Sequence, residues 1–154
     1  VNRESEALSM PQRTGRAEWK GDLATGQGLM SFGSGDWAYE AAYSAPSRFE
    51  SAEGANPEEL IGAGHAGCFT MAFAAALARA GHTAESINTQ ANLSLEKKEA
   101  GWTITRIVLE TTAVVPGIDE ASFQEIAQAS KKNCPVSRAL AGVEISLKAV
   151  LANS

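Results

Sequence analysis

Cys68 and Cys134 are the two cysteines of this chain and its candidates for covalent chemistry. A cysteine attacks as the thiolate, so what stands beside each one decides whether it can react. Cys134 directly precedes Pro135, and "NCPVSRAL" reads as the start of a short helix with proline at its first position. Unpaired amides and the helix dipole favour a thiolate there, and Lys131 and Lys132 stand just before it. Cys68 lies in "IGAGHAGCFTMAF", a run too apolar and too rich in small residues for ordinary surface. The plain alternative is that each is an inert core residue, because a lone buried cysteine is ordinarily a small hydrophobe. The two are far outside any CxxC spacing, so only the fold could make them partners. With His65 and His82 they show no zinc-ligand spacing.

The charged residues nearby have two readings as well. Arg48 and Glu50 fit a solvated strand pair, and Glu58 and Glu59 fit carboxylates at a helix start. Glu58 and Cys68 are ten positions apart, and one continuous helix would separate them by about 15 Å. A site using both needs a break near "IGAG" or a second copy of the chain. His65, three residues before Cys68, shares a helix side with it, which allows a Cys–His pair or a packed, hydrogen-bonded histidine. His82 follows the helix stop and reads as solvated.

The elements that would position these residues are legible from pattern. Arg16 to Tyr43 is strand-like with glycine punctuation, a meander of two or three antiparallel strands, and "PSRFE" reads as extended. A helix opens at Asn56, with Pro57 at its first position and Glu59 able to reach back to the cap, and runs to about Ala80 before Gly81. Beyond its first turn almost no face is polar, so it should be buried all round. "SINTQANLSLEKKEAGWTITRIVLETTAVVP" alternates about a turn at Lys98 to Gly101, a long hairpin. "GIDEASFQEIAQASKKN" is an amphipathic helix capped by Asp119, with Phe123, Ile126, Ala127 and Ser130 on one side. Val143, Ile145, Leu147, Ala149 and Leu151 share one face of a closing strand. The order is β-β-β-α-β-β-α-β, an α+β fold.

Composition restricts the class further. A chain of 154 residues with 44% hydrophobic and 20% charged residues suits one globular domain, here residues 15 to 154 behind a polar tail of residues 1 to 14. A net charge of −5 without a basic block excludes a general nucleic-acid binder. Cys68 to Ala78 is too short an apolar run for a membrane span, and no secretory signal opens the chain. The expected compartment is the cytosol, where thiols stay reduced.

"NPEELIGAGHAGCF", with "RFE" upstream and "NCPVSRAL" downstream, resembles the OsmC/Ohr family of thiol-dependent organic hydroperoxide reductases. The likeness runs from about Arg16 to the final strand. Gly64 and Gly67 stand where the family pattern usually has alanine, and the histidine of "GHAGC" favours the OsmC branch. The resemblance implies an intertwined homodimer, its long apolar helices wrapped by antiparallel sheets, with a partner covering the far side of each helix.

It also implies roles. Cys68 would be the peroxidatic thiolate and Cys134 the resolving thiol, with Arg48 holding the negative charge and Glu58 orienting Arg48. Cys68 sulfenic acid would condense with Cys134 to a disulfide. No bound cofactor is implied. The reductant would be an external dithiol such as dihydrolipoamide, carried by a lipoyl-bearing protein, rather than glutathione. Phe49, Phe69, Met71 and Phe73 are candidates for an alkyl-binding pocket or, equally, plain core. Two rival readings remain: an acyl-thioester hydrolase, and a non-catalytic redox sensor or hydrophobic-ligand binder.

Overall fold

The computed structural model describes residues 11–152. Residues 1–10 of the expected tail lie outside the described residues, and residues 11–14 carry no regular structure. The chain forms two compact units, residues 1–56 and 57–154.

The first unit holds β1 (Gly15–Lys20), β2 (Gln27–Phe32) and β3 (Tyr39–Tyr43), an antiparallel sheet in the order β1-β2-β3. A 3-10 turn at Gly35–Trp37 joins the last two strands at "GSGD". The rings of Trp19 and Tyr43, 5.4 Å apart, meet beside Gly28, where a Cβ would fall 2.5 Å from the tyrosine ring. The expected extended segment at 46–50 is corrected: Ala45–Phe49 is a short helix, α1. Its capping box explains why. Ser44 Oγ accepts from the Ser47 amide and Ser47 Oγ accepts from the Ser44 amide, with a proline in the first turn.

The second unit opens with α2 (Pro57–Arg79), which begins at the proline as the sequence requires. It ends in a Schellman motif: His82 N–H donates to Leu77 O at 2.9 Å and Gly81 N–H to Ala78 O at 3.0 Å. That turn needs the positive φ of +88° that Gly81 supplies. The helix packs on a hairpin of β4 (Ser86–Lys98) and β5 (Gly101–Val114), whose register shifts at a bulge between Ser94 and Leu95. Gly62 sets the closeness of that packing, since a Cβ there would meet Leu93 Cδ1 at 3.1 Å and Ala91 O at 3.3 Å. Thr70 Oγ1 donates to Thr89 Oγ1 at 2.8 Å, and Thr89 Oγ1 lies 2.9 Å from Thr111 Oγ1, so hydroxyls link helix to sheet.

The chain then passes through α3 (Glu120–Asn133) and α4 (Pro135–Ala139) into β6 (Glu144–Ala152). Asp119 caps α3 as expected, accepting from Ser122 N–H at 2.9 Å. β6 runs parallel to β5, Ile145 beside Ile107 and Leu147 beside Leu109. The expectation of antiparallel sheets therefore holds for β1 to β3 and for β4 with β5, and is corrected at β6. The helical crossover of α3 and α4 carries the chain back to the end from which β5 started, and such a return makes the next strand parallel. Phe69, Phe73 and Leu77 of α2, Leu109 and Ala113 of β5, and Phe123 and Ala127 of α3 form one core. Phe73 meets Phe123 edge-on at 5.4 Å.

The expectation that α2 is buried all round is also corrected for the single chain. Its buried residues are one stripe, Glu58, Gly62, His65, Phe69, Phe73 and Leu77, at helical spacing. The opposite face, with Gly64, Gly67, Met71, Ala74 and Ala78, is exposed and apolar apart from bare backbone. By length and composition the whole helix would suffice to cross a membrane, which the shorter run Cys68 to Ala78 did not suggest, and 28% of its most apolar window is buried.

Candidate active site

Cys134 sits at the joint between α3 and α4 and is fixed from both sides. Its N–H donates to Ser130 O at 2.9 Å, closing α3, and its carbonyl accepts from Arg138 N–H at 3.0 Å, opening α4. Pro135 forbids α3 from continuing and starts the next helix in the same step. Cys68 lies at the middle of α2, beside the buried stripe. The fold brings the two sulfur atoms to 3.0 Å, across 66 residues of sequence, and both thiols are free. Cys134 is fully buried, whereas Cys68 is half-buried. Of the two, Cys68 is the one a solute can reach.

The surroundings divide the charge unequally. Burial pushes the Cys68 thiol up, and its hydrogen bond with Cys134 pushes it further, against the Val136 amide that lowers it. Burial also acts to raise Cys134, but it is outweighed by its contact with Cys68 and by the polar groups of Ser137 and Val136 at the start of α4. The net direction for Cys134 is down. The two sulfurs thus share one contact and are shifted in opposite directions, Cys68 up and Cys134 down.

His65 is fully buried on α2, and its Nε2 lies 2.7 Å from Ser137 Oγ. Of the two readings open for His65, the structure realises the packed, hydrogen-bonded one: its polar contact is to α4. Burial moves its pKa below the ordinary value, so the ring is neutral near pH 7. Ser137 was not singled out from sequence: its partner His65 stands 72 positions away on another helix, and no local pattern reports that contact.

The other expected residues are placed as follows. Arg48 ends α1 in the first unit, its guanidinium 5.1 Å from the centre of the Phe49 ring. Glu58 is buried in the first turn of α2. No break interrupts the helix near "IGAG", so about 15 Å of rise separates Glu58 from Cys68. Phe69 and Phe73 are fully buried core residues, while Met71 is 76% exposed on the opposite face.

This arrangement can form one intramolecular disulfide, with an accessible sulfur and a sheltered partner. The description "OsmC-like protein" fits residues 50–148 of the chain. Peroxiredoxin OsmC of Escherichia coli K12 is 47% identical over 128 residues, covering 83% of this chain and 89% of that protein. An organic hydroperoxide resistance protein of Xanthomonas axonopodis pv. citri is 31% identical over 120 residues, 74% of this chain and 81% of its own length. The crystal structure of an OsmC-like protein from Mycoplasma pneumoniae superposes with a TM-score of 0.72 over 93% of this chain and 99% of that one, at 18% identity. OhrB of Bacillus subtilis gives 0.63 over 88% and 97%, at 24% identity. By motif, sequence identity and fold alike, the chain belongs to the OsmC-like family.

Proposed function

We propose that this protein is a thiol peroxidase that reduces organic hydroperoxides to alcohols through Cys68 and Cys134. The observation that carries the reading is the pair of free thiols 3.0 Å apart, of which only the half-buried Cys68 is open to solutes. Cys68 thiolate attacks the terminal peroxide oxygen; the O–O bond breaks, the alkoxide leaves and is protonated to the alcohol, and Cys68 becomes a sulfenic acid. Cys134 then displaces hydroxide from that sulfur, and the S–S bond forms as water is lost. An external dithiol reduces the disulfide, and dihydrolipoamide on a lipoyl-bearing protein fits that chemistry. The cytosol, which keeps dithiols reduced, suits the cycle. The names of the E. coli and Xanthomonas relatives support peroxide chemistry and the organic class of substrate.

Burial and the Cys134 contact hold Cys68 protonated, so a cation must draw the charge to it. Arg48 fills this role, with Glu58 orienting it. The unbroken α2 keeps a chain's own Glu58 about 15 Å along the axis from its Cys68, which favours a carboxylate supplied by a second copy. The exposed small-residue face of α2 supports the same homodimer: a Cβ at Gly64 or Gly67 would meet nothing within 4 Å, so neither glycine is required by its own chain. Two such faces can approach closely, and Met71 and Phe49 then become candidates to line an alkyl-binding pocket.

The test mixes reduced protein with one equivalent of cumene hydroperoxide or hydrogen peroxide, quenches from milliseconds to minutes, and maps disulfides by non-reducing peptide mass spectrometry. Fast Cys68–Cys134 bonding with the organic peroxide and slower bonding with hydrogen peroxide is the expected result. Reaction at the pace of a free cysteine would leave a sensor or ligand binder, and thioester hydrolysis surviving Cys68→Ser would point to the hydrolase.

A further inference from the structure

We infer that the external reductant enters the cycle at Cys68, with Cys134 as the leaving sulfur, and that the contact between the two sulfurs turns monothiols away while admitting dithiols. The inference rests on the peroxidase reading above and deepens its reducing half.

Thiol–disulfide exchange is a displacement in which a thiolate attacks one sulfur of the bond and expels the other, so access decides which sulfur is attacked. Cys134 offers none. It has no exposed surface and belongs to the same buried core as Phe69, Phe73 and Phe123. Its backbone is tied in both directions, its N–H to Ser130 O at 2.9 Å and its carbonyl to Arg138 N–H at 3.0 Å. Carrying the residue outward to meet a reductant would therefore break the joint between α3 and α4. Cys68 stands half-buried in the middle of α2, where a solute reaches it without any element moving. Because the free thiols already touch at 3.0 Å, closing the bond needs little movement, and the oxidised pair keeps the same inequality of exposure.

The first step forms a bond between the reductant sulfur and Cys68 as the Cys68–Cys134 bond breaks, and the electron pair of that bond leaves on Cys134. The more acidic thiol of a disulfide leaves faster, and the downward shift of Cys134 agrees with that direction. The departed thiolate then stands where the reduced pair holds it, 3.0 Å from Cys68. Well-oriented groups in such contact can act at effective concentrations of about 10⁵ M, which no free thiol approaches. A monothiol bonded to Cys68 is therefore expelled by the returning Cys134, and the original disulfide reforms. A dithiol has an answer within the same molecule. Its second thiolate attacks the sulfur already bonded to Cys68, closes a cyclic disulfide and releases Cys68 as thiolate. Two electrons have then passed from the dithiol to the protein pair, and two protons follow from solvent as pH requires.

The experiment oxidises the full chain with diamide, which makes the disulfide without peroxide, and then adds excess glutathione as the monothiol. Aliquots are quenched in acid, free thiols are blocked with N-ethylmaleimide, and peptide mass spectrometry reports which cysteine carries glutathione. The adduct should sit on Cys68, in excess over Cys134 by on the order of tenfold or more. At equal thiol concentration, dithiothreitol should reduce the wild-type disulfide on the order of a hundredfold faster than glutathione. A Cys134→Ala chain with glutathione loaded on Cys68 has no internal thiolate to return, and there the two reductants should agree within about fivefold. Glutathione found on Cys134, or on both cysteines alike, would overturn the inference, as would a hundredfold preference for the dithiol that persists in Cys134→Ala. Should Cys134→Ala fail to fold, the adduct map of the wild type decides alone. A chain that forms the disulfide with diamide but not with cumene hydroperoxide would overturn the peroxidase reading and leave the route of reduction standing. A chain that forms it with neither would overturn both.

Discussion

Oxidation of the Cys68–Cys134 pair should raise the stability of the second unit by an amount that follows from chain length. The bridge would close a loop of 66 residues, since that is the separation of the two thiols. The chain-entropy relation then gives about 4 kcal/mol at 25 °C as the loss of freedom in the unfolded chain. Because the sulfurs are already in contact, little of this should be spent on moving backbone to bring them together. For a domain of this size the corresponding rise in Tm is on the order of 10 °C. The assay compares melting and urea unfolding of protein reduced with excess dithiol and protein oxidised with one equivalent of organic peroxide. Cys134→Ser serves as the control and should show no shift. Equal Tm for the two redox forms, or a bond that runs between chains on a non-reducing gel, would refute the reasoning, because the 3.0 Å contact would then not represent the native pair.

At protein concentrations too low for self-association, replacing Gly67 by Leu should leave the Tm unchanged or raise it, because the site faces open space in the single chain and glycine costs about 1 kcal/mol in a helix interior. The same change should weaken self-association in sedimentation velocity, and peroxidase activity should fall with it. Gly62→Leu should behave in the reverse sense, destabilising by about 1–3 kcal/mol through overpacking against Leu93 and the Ala91 carbonyl, as read by urea denaturation. Burial lowers the pKa of His65, so the unfolded chain takes up a proton there before the folded one does. Stability should therefore decline as pH falls below the unfolded value of 6.5, and the decline should be smaller in His65→Leu when Tm is followed against pH. Phe73→Ala, which empties the centre of the core, should cost about 3–5 kcal/mol in urea unfolding.

What could be read beforehand was whatever leaves a local pattern. The β4–β5 hairpin shows in strict alternation: Ile107, Leu109, Thr111 and Ala113 face inward as the period of two requires. Asp119, Pro57 and Gly81 mark helix ends because capping is a matter of a few adjacent atoms. Alternation says which face of β6 is buried but not which way the strand runs, and so the parallel pairing with β5 was invisible. At α1 an apolar, strand-like context hid a capping box whose two serines outweigh it. The cysteine pair is the hardest case. Each thiol could be placed on its own helix, but their contact depends on how α3 and α4 dock against α2, which no local pattern reports. His65 was compared with Cys68 along one helix, whereas its bond goes to Ser137 on another.

The joint that carries Cys134 lies near the end of the second unit, and this has a consequence during synthesis. At about 5–20 residues per second, a ribosome needs roughly 3–13 s to pass from Cys68 to Cys134. Throughout that interval the growing chain carries a single thiol on an apolar segment, with neither its partner sulfur nor the helices that shelter it. A peroxide that met Cys68 then would leave a sulfenic acid with no internal thiol to close it, open to capture by small thiols or to irreversible overoxidation. On the proposed peroxidase cycle, Cys68 would become a site of turnover rather than of damage only once the last third of the chain has been made.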